Sequence, residues 1–263
     1  MKKHQAPQTA SVVRAIGSVT FQEIIRDKIL YNTLLCAFFL MGISLLASRL
    51  TFVRPDRVIT DFGIAALGIS CSLIAILVGA PLIGREFERR TVFVALSKPI
   101  SQFQFLLGKY SGLAAVIVAN GVLLSLLYVA ILLIVGGTLS GTLFLAVVLV
   151  FAKALLMGAL AFLFSSFTTT SLSVIFSLGL YLLGNNISQI LFLANKIENP
   201  VSHYLLKFIA RLLPNLEFFH LGTQLTYALP VSPLVFLGAI FYALLWIGVS
   251  IAAACFLIQR REI

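Results

Sequence analysis

SGLAAVIVANGVLLSLLYVAILLIV, residues 111–135, runs for twenty-five positions without one charged side chain. A helix needs roughly 20 residues to cross the ~30 Å of hydrocarbon in a bilayer, and in lipid only a helix or a closed barrel satisfies every backbone polar group. Five other apolar runs accompany this one, near 29–48, 62–84, 142–165, 171–194 and 234–258. Across all 263 residues 60% are hydrophobic, 11% are charged and the mean hydropathy is +1.07. A soluble domain carries roughly a quarter of its residues as charges. The composition excludes a soluble enzyme, a disordered tail and a secreted disulfide scaffold. It predicts an all-α, polytopic integral membrane protein with six transmembrane helices in one membrane domain (29–258) within residues 1–263.

The charges orient this bundle. The formal net charge is +10, from 19 Lys and Arg against 9 Asp and Glu. With the N-terminus inside, twelve of the basic residues fall on inner segments and six on outer ones, while Lys153 lies in a span. The positive-inside rule then places both termini in the cytoplasm, 1–28 before the first span and 259–263 after the last, in the inner (cytoplasmic) membrane of the cell. The basic excess is a topology signal, and no nucleic acid is needed to explain it. Residues 1–28 are too polar and too long for an ordinary signal peptide, so the first span is retained. Cys36, Cys71 and Cys255 sit inside apolar runs without metal-ligand spacing.

Two stretches outside the spans have helical amphipathicity. From Ser11 to Lys28 the polar residues Ser11, Arg14, Ser18, Gln22 and Arg26 recur every three or four positions. This pattern suits a helix in the inner interface, or a ragged start to the first span. In the outer loop 195–233, Asn199 and Pro200 form a cap and first position ahead of His203, Lys207 and Arg211 at four-residue spacing. Pro214 ends that helix, and a second short one is expected from about Asn215 to Leu229. Both are too charged to cross lipid and rest at the outer leaflet.

Several chemistries are missing. All nine acids lie outside the spans, whereas ion-coupled carriers need an ionisable relay at membrane depth. The sequence has neither a zinc HExxH pair nor a nucleophile elbow. The nearest approach to a phosphate loop, Gly79 to Gly84, is followed by Arg85 and Glu86 where Lys and Ser or Thr belong. If ATP drives this chain, another subunit supplies the site.

The inner segment GREFERRTVFVALSKPISQFQFLLGK, residues 84–109, concentrates charge and then turns apolar up to Pro99. Composition allows two readings: a helix that docks into a soluble partner, or a solvated anchor. GREFERRT, ALSKPIS and FLLGKYSG, with the later LLPNLEFFHL and the terminal FLIQRREI, resemble the permease subunits of ABC type 2 transporters over nearly the whole chain. The resemblance implies a dimer of permeases, read as a second copy of this chain, and two cytoplasmic ABC ATPase subunits. ATP and Mg would be bound by those partners, with no cofactor and no catalysis here. It makes 85–110 the coupling loop, with Arg85, Glu86, Glu88, Arg89, Arg90 and Thr91 as contacts to the ATPase. The helix before the first span becomes the elbow helix, centred on Phe21 to Arg26, and Ser165 to Ser171 a minor contact. A large outer domain between the first two spans, found in some members, is missing, and substrate class stays open.

Polar residues within the spans mark a possible path. Ser173, Ser177, Tyr181, Asn185 and Gln189 recur every four residues along the fifth span. They line a pathway, or they bond neighbouring helices, including a dimer seam. Lys153 is the only charge deep in a span. At a helix centre it costs about 2.5–3.5 kcal/mol, so it snorkels, or it finds backbone, polar side chains, water or an anionic lipid or substrate group. Gly79, Pro81 and Gly84 suggest a hinge near the coupling loop. The resulting expectation is an exporter permease, with a non-transporting membrane scaffold or sensor as the alternative. An intramembrane transferase would have to use His203, His220, Glu198 and Glu217.

Overall fold

The structure, a computed structural model, describes residues 9–49, 55–88, 101–137, 139–197, 199–226 and 229–260. Among these, every regular element is helical. The order is α1 (Thr9–Ile25), α2 (Lys28–Arg49), α3 (Pro55–Glu88), α4 (Gln102–Ile134) and α5 (Gly141–Phe167). Then come α6 (Thr170–Gly184), α7 (Ile187–Lys196), α8 (Pro200–Leu212), a 3-10 turn (Glu217–Phe219), α9 (Gly222–Thr226) and α10 (Pro233–Arg260).

Four helices are long and apolar enough to cross a membrane by themselves: α3, α4, α5 and α10. A fifth crossing arises if α6 and α7, bent by 68° at their junction, form one broken span. Helix α2 has 22 residues, but its described apolar stretch, Thr33–Ile43, is shorter than a span. The described helices thus account for four or five of the six expected crossings.

Helix α5 lies at the centre, against α3 on one side and α10 on another. Ala154, Leu156, Met157, Ala159, Ala161 and Phe162 on α5 are fully buried. Helices α4 and α10 instead leave rows of Leu, Val and Phe exposed, such as Leu126 and Val122 on one and Leu237 and Phe241 on the other. In water these rows would be costly, whereas lipid solvates them. Helix α3 continues through Pro81 without a break to Glu88, and the Ser165 hydroxyl donates to the Ala80 carbonyl beside it.

Helix α1 packs along the start of α4. Gly17, Gly108 and Gly112 meet at the crossing, where absent side chains let two backbones approach. Helix α4 opens with a reciprocal cap: Ser101 Oγ accepts from Gln104 N at 3.2 Å, and Gln104 Oε1 accepts from Ser101 N at 3.2 Å.

The expected fifth span, 171–194, departs from one continuous helix. The Gly184 carbonyl leaves the helical ladder and accepts from Leu216 N at 2.9 Å. A side chain at Gly184 is excluded, since a Cβ there would lie 2.8 Å from the Pro214 carbonyl oxygen. The next two side chains bond carbonyls in the last turn of α6. Asn185 Nδ2 donates to the Tyr181 carbonyl at 2.7 Å, and Asn186 Nδ2 to the Leu182 carbonyl at 2.8 Å. An inserted loop bends this span, and paired asparagines make the bend tolerable.

In the segment after α7, Asn199 caps α8 as its sequence predicts, its side chain accepting from Val201 N at 3.0 Å. The second outer helix, expected over 215–229, is interrupted. Tyr242 Oη accepts from Asn215 N at 2.8 Å, and the Glu217 carboxylate accepts from Ser188 N at 2.8 Å and from the Ser188 hydroxyl. Those anchors hold 215–221 against α7 and α10, leaving one 3-10 turn and the short α9.

Candidate functional site

Two regions carry the residues singled out by sequence. The first lies at the two ends of the segment between α3 and α4. Arg85, in the last turn of α3, donates from Nη1 to Asp27 Oδ2 at 2.7 Å. Lys109, on the first turns of α4, reaches Glu23 Oε2 at 3.3 Å. Asp27 follows the end of α1 and Glu23 lies within it. Both ends of that segment are therefore ion-paired at the same end of the helix preceding α2. Glu86 and Glu88 close α3, while Arg89, Arg90 and Thr91 lie outside the described residues.

The second region is a cavity of about 250 Å³ where α3, α5, α6 and the 219–222 segment converge. Lys153 of α5 and Tyr181 of α6 line it, as does Asn185 at the bend. Lys153 is 7% exposed, so its ammonium does not snorkel out to water. Its Nζ donates to Asn185 Oδ1 and lies 5.0 Å from the centre of the Tyr181 ring. Asn185 thus uses its carbonyl for Lys153 and its amide for the Tyr181 carbonyl. Both of these contacts of Lys153, the Asn185 amide oxygen and the Tyr181 ring, are with neutral groups.

Ser177 and Gln189 do not join this cavity. Ser177 is buried and donates to the Ser173 carbonyl at 2.7 Å, while Ser173 donates across to the Ala161 carbonyl of α5 at 2.9 Å. Ser177 thus bonds within α6, and Ser173 bonds α6 to α5. Gln189 lies on α7, beyond the bend and away from the cavity. The four-residue spacing assumed a straight helix, and the 68° bend divides the polar line.

The cavity also includes residues that sequence reasoning gave no part in a path. Phe219, His220, Leu221 and Gly222 supply one wall, and Ile64, Gly68 and Val150 add apolar surface. Gly222 is wedged between an imidazole and a carboxylate: a Cβ there would lie 2.8 Å from His220 Nε2 and 3.0 Å from Asp61 Oδ1. Partial burial, followed by the positive charge of Lys153, holds the His220 imidazole below its ordinary pKa, with Asp61 and Glu217 opposing. A histidine in a loop was the only available signal for this wall, and it carried no depth information.

A family model described as ABC-2 family transporter protein matches residues 2–263. The chain belongs to the ABC-2 transporter family. A comparison with curated proteins returns no match. An ABC-2 permease is the transmembrane, non-catalytic component of a transporter and works with an associated ABC ATPase. This chain is a multi-pass membrane protein and a transport permease of that family. In this ABC-2 permease the Arg85 and Lys109 ion pairs lie at the end of α1, and the Lys153 cavity lies at the bend between α6 and α7, against the 219–222 segment.

Proposed function

We propose that this ABC-2 permease is the membrane subunit of an ATP-driven exporter and forms its translocation pathway with a second copy of itself. Six spans cross the inner membrane with both termini in the cytoplasm, α2 and the broken α6–α7 pair completing the count. Two ATPase subunits bind ATP and Mg. Their closure pushes on the 85–110 loop, and the loop passes that motion to the spans. Within each protomer the Lys153 cavity belongs to the substrate path.

One observation carries this reading: both roots of the loop are ion-paired at the end of the elbow helix, Lys109 to Glu23 within it and Arg85 to Asp27 in the turn after it. A solvated anchor has no use for such bracing. A lever that must transmit force needs it, because an unbraced hairpin would bend without moving α3 and α4. The pairs also set the helix preceding α2 and the loop on one face of the bundle, in keeping with the charge-based orientation.

The test is charge reversal at Arg89 and Arg90 (R89E/R90E) in the complete complex. The ATPase should dissociate during purification, or its hydrolysis should lose its response to substrate, with membrane insertion intact. Unchanged association and unchanged transport would reject the coupling assignment.

A further inference from the structure

Lys153 poses an energetic question that its protein partners leave unanswered. A lysine exposed over only 7% of its surface holds its ammonium at a desolvation cost that only an opposite charge offsets well. Asn185 and Tyr181 offer a neutral oxygen and a ring face. They orient the ammonium without neutralising it. Asp61 stands beside Gly222 and does not line the cavity.

The shape of the cavity narrows what could supply that charge. A volume of about 250 Å³ lies just under the ~300–1,000 Å³ of sites that enclose a whole small ligand. It holds a headgroup and the start of a chain. One part of its lining, Ile69 and Leu182, is exposed on the outer surface of α3 and α6, at 39% and 63%. In a bilayer that surface faces acyl chains. Opposite stands His220, exposed in the outer loop. The cavity therefore offers a cation inside, apolar side chains at a lateral mouth and a polar rim towards the outer segments.

We infer that the cavity binds the anionic head of an amphiphile, whose apolar tail leaves past Ile69 and Leu182 into the membrane. Lys153 pairs with the acidic group, Asn185 holds the ammonium in position, and His220 borders the head. The assignment rests on the transport reading above and gives it a substrate class: a single-tailed or lipid-like acid.

The test measures binding of radiolabelled dodecyl phosphate to the full-length permease in a neutral detergent. Inorganic phosphate and dodecyltrimethylammonium serve as comparison probes. Saturable binding of dodecyl phosphate at one site per chain is expected, with much weaker binding of either comparison probe. Lys153→Gln should weaken it by roughly ten- to a hundredfold, the effect of losing one charge-assisted hydrogen bond, and Lys153→Arg should retain most of it. Leu182→Trp, which keeps the charge and fills the mouth, should weaken dodecyl phosphate while sparing inorganic phosphate. Equal binding of inorganic phosphate would overturn the amphiphile assignment in favour of a free anion. Equal binding of the cationic probe, unchanged affinity in Lys153→Gln, or no saturable site would overturn it outright. Because this readout needs no ATPase, its failure leaves the coupling test at Arg89 and Arg90 standing.

Discussion

Arg85 Nη1 lies 2.7 Å from Asp27 Oδ2, a contact between residues 58 positions apart that joins the end of α3 to the turn after α1. Both side chains keep substantial solvent exposure, 44% and 28%, so the pair contributes at most about 1 kcal/mol to stability. Its value lies in geometry. Asp27→Asn should leave thermal unfolding in detergent nearly unchanged while reducing substrate-stimulated ATPase activity. The exchanged pair D27R/R85D should restore that activity. Loss of stability without loss of coupling would contradict the assignment.

The companion pair behaves differently because one partner is buried. The Lys109 side chain is 8% exposed and that of Glu23 is 61% exposed. Glu23→Gln removes a counter-charge from an ammonium in a nearly dry site. A cost of about 1–2 kcal/mol is expected, lower than for a fully buried pair because the acid is solvated. The double variant E23Q/K109M should recover much of it, as read by thermal unfolding.

At the bend, Gly184→Ala should be among the more harmful single-methyl additions in the chain. Its Cβ would sit 2.8 Å from the Pro214 oxygen and 2.9 Å from Leu216 Cγ. Backbone must move, at a cost of about 1–3 kcal/mol. A lowered thermal midpoint together with weaker amide protection at Leu216 checks this, and an unaffected Leu216 amide would count against the bond to Gly184.

The polar residues of α6 should separate into two classes. Ser173→Ala removes a hydroxyl that donates to the Ala161 carbonyl at 2.9 Å, and should cost about 1 kcal/mol of stability with little effect on transport. Asn185→Leu removes the orienting partner of Lys153 and should lower transport more than stability. Matched transport and unfolding assays on both variants distinguish them.

The imidazole of His220 reports on Lys153. The ammonium lowers the His220 pKa, and the acids Asp61 and Glu217 raise it. Lys153→Met removes a positive neighbour, so the imidazolium form becomes easier to reach and the pKa must rise. An NMR pH titration of the His220 ring in both proteins checks the direction. No rise would mean that the two groups do not share a cavity.

Much of this architecture is legible in the sequence because charge-free runs leave a chain in lipid few alternatives. The runs at 111–135 and 142–165 correspond to α4 and α5, which meet them closely at Ile134 and Gly141, while α4 starts earlier, at Gln102. Helix α3 extends beyond 62–84 in both directions, since hydropathy stops at charges such as Asp61 while helical hydrogen bonds continue through them. The break after Gly184 was invisible because it is decided by the Leu216 amide, far along the chain. Lys153 and Asn185 each stood out for polarity at depth, yet their meeting depends on that break. Ser177 and Gln189 shared their pattern and differ in surroundings, which periodicity cannot read.

The bond from Leu216 N to the Gly184 carbonyl, reinforced by Glu217 on Ser188, has a mechanical consequence. It ties the 215–221 strap to both arms of the kinked helix, Leu216 to the end of α6 and Glu217 to the start of α7, so a change in the bend angle must strain these bonds or draw His220 with it.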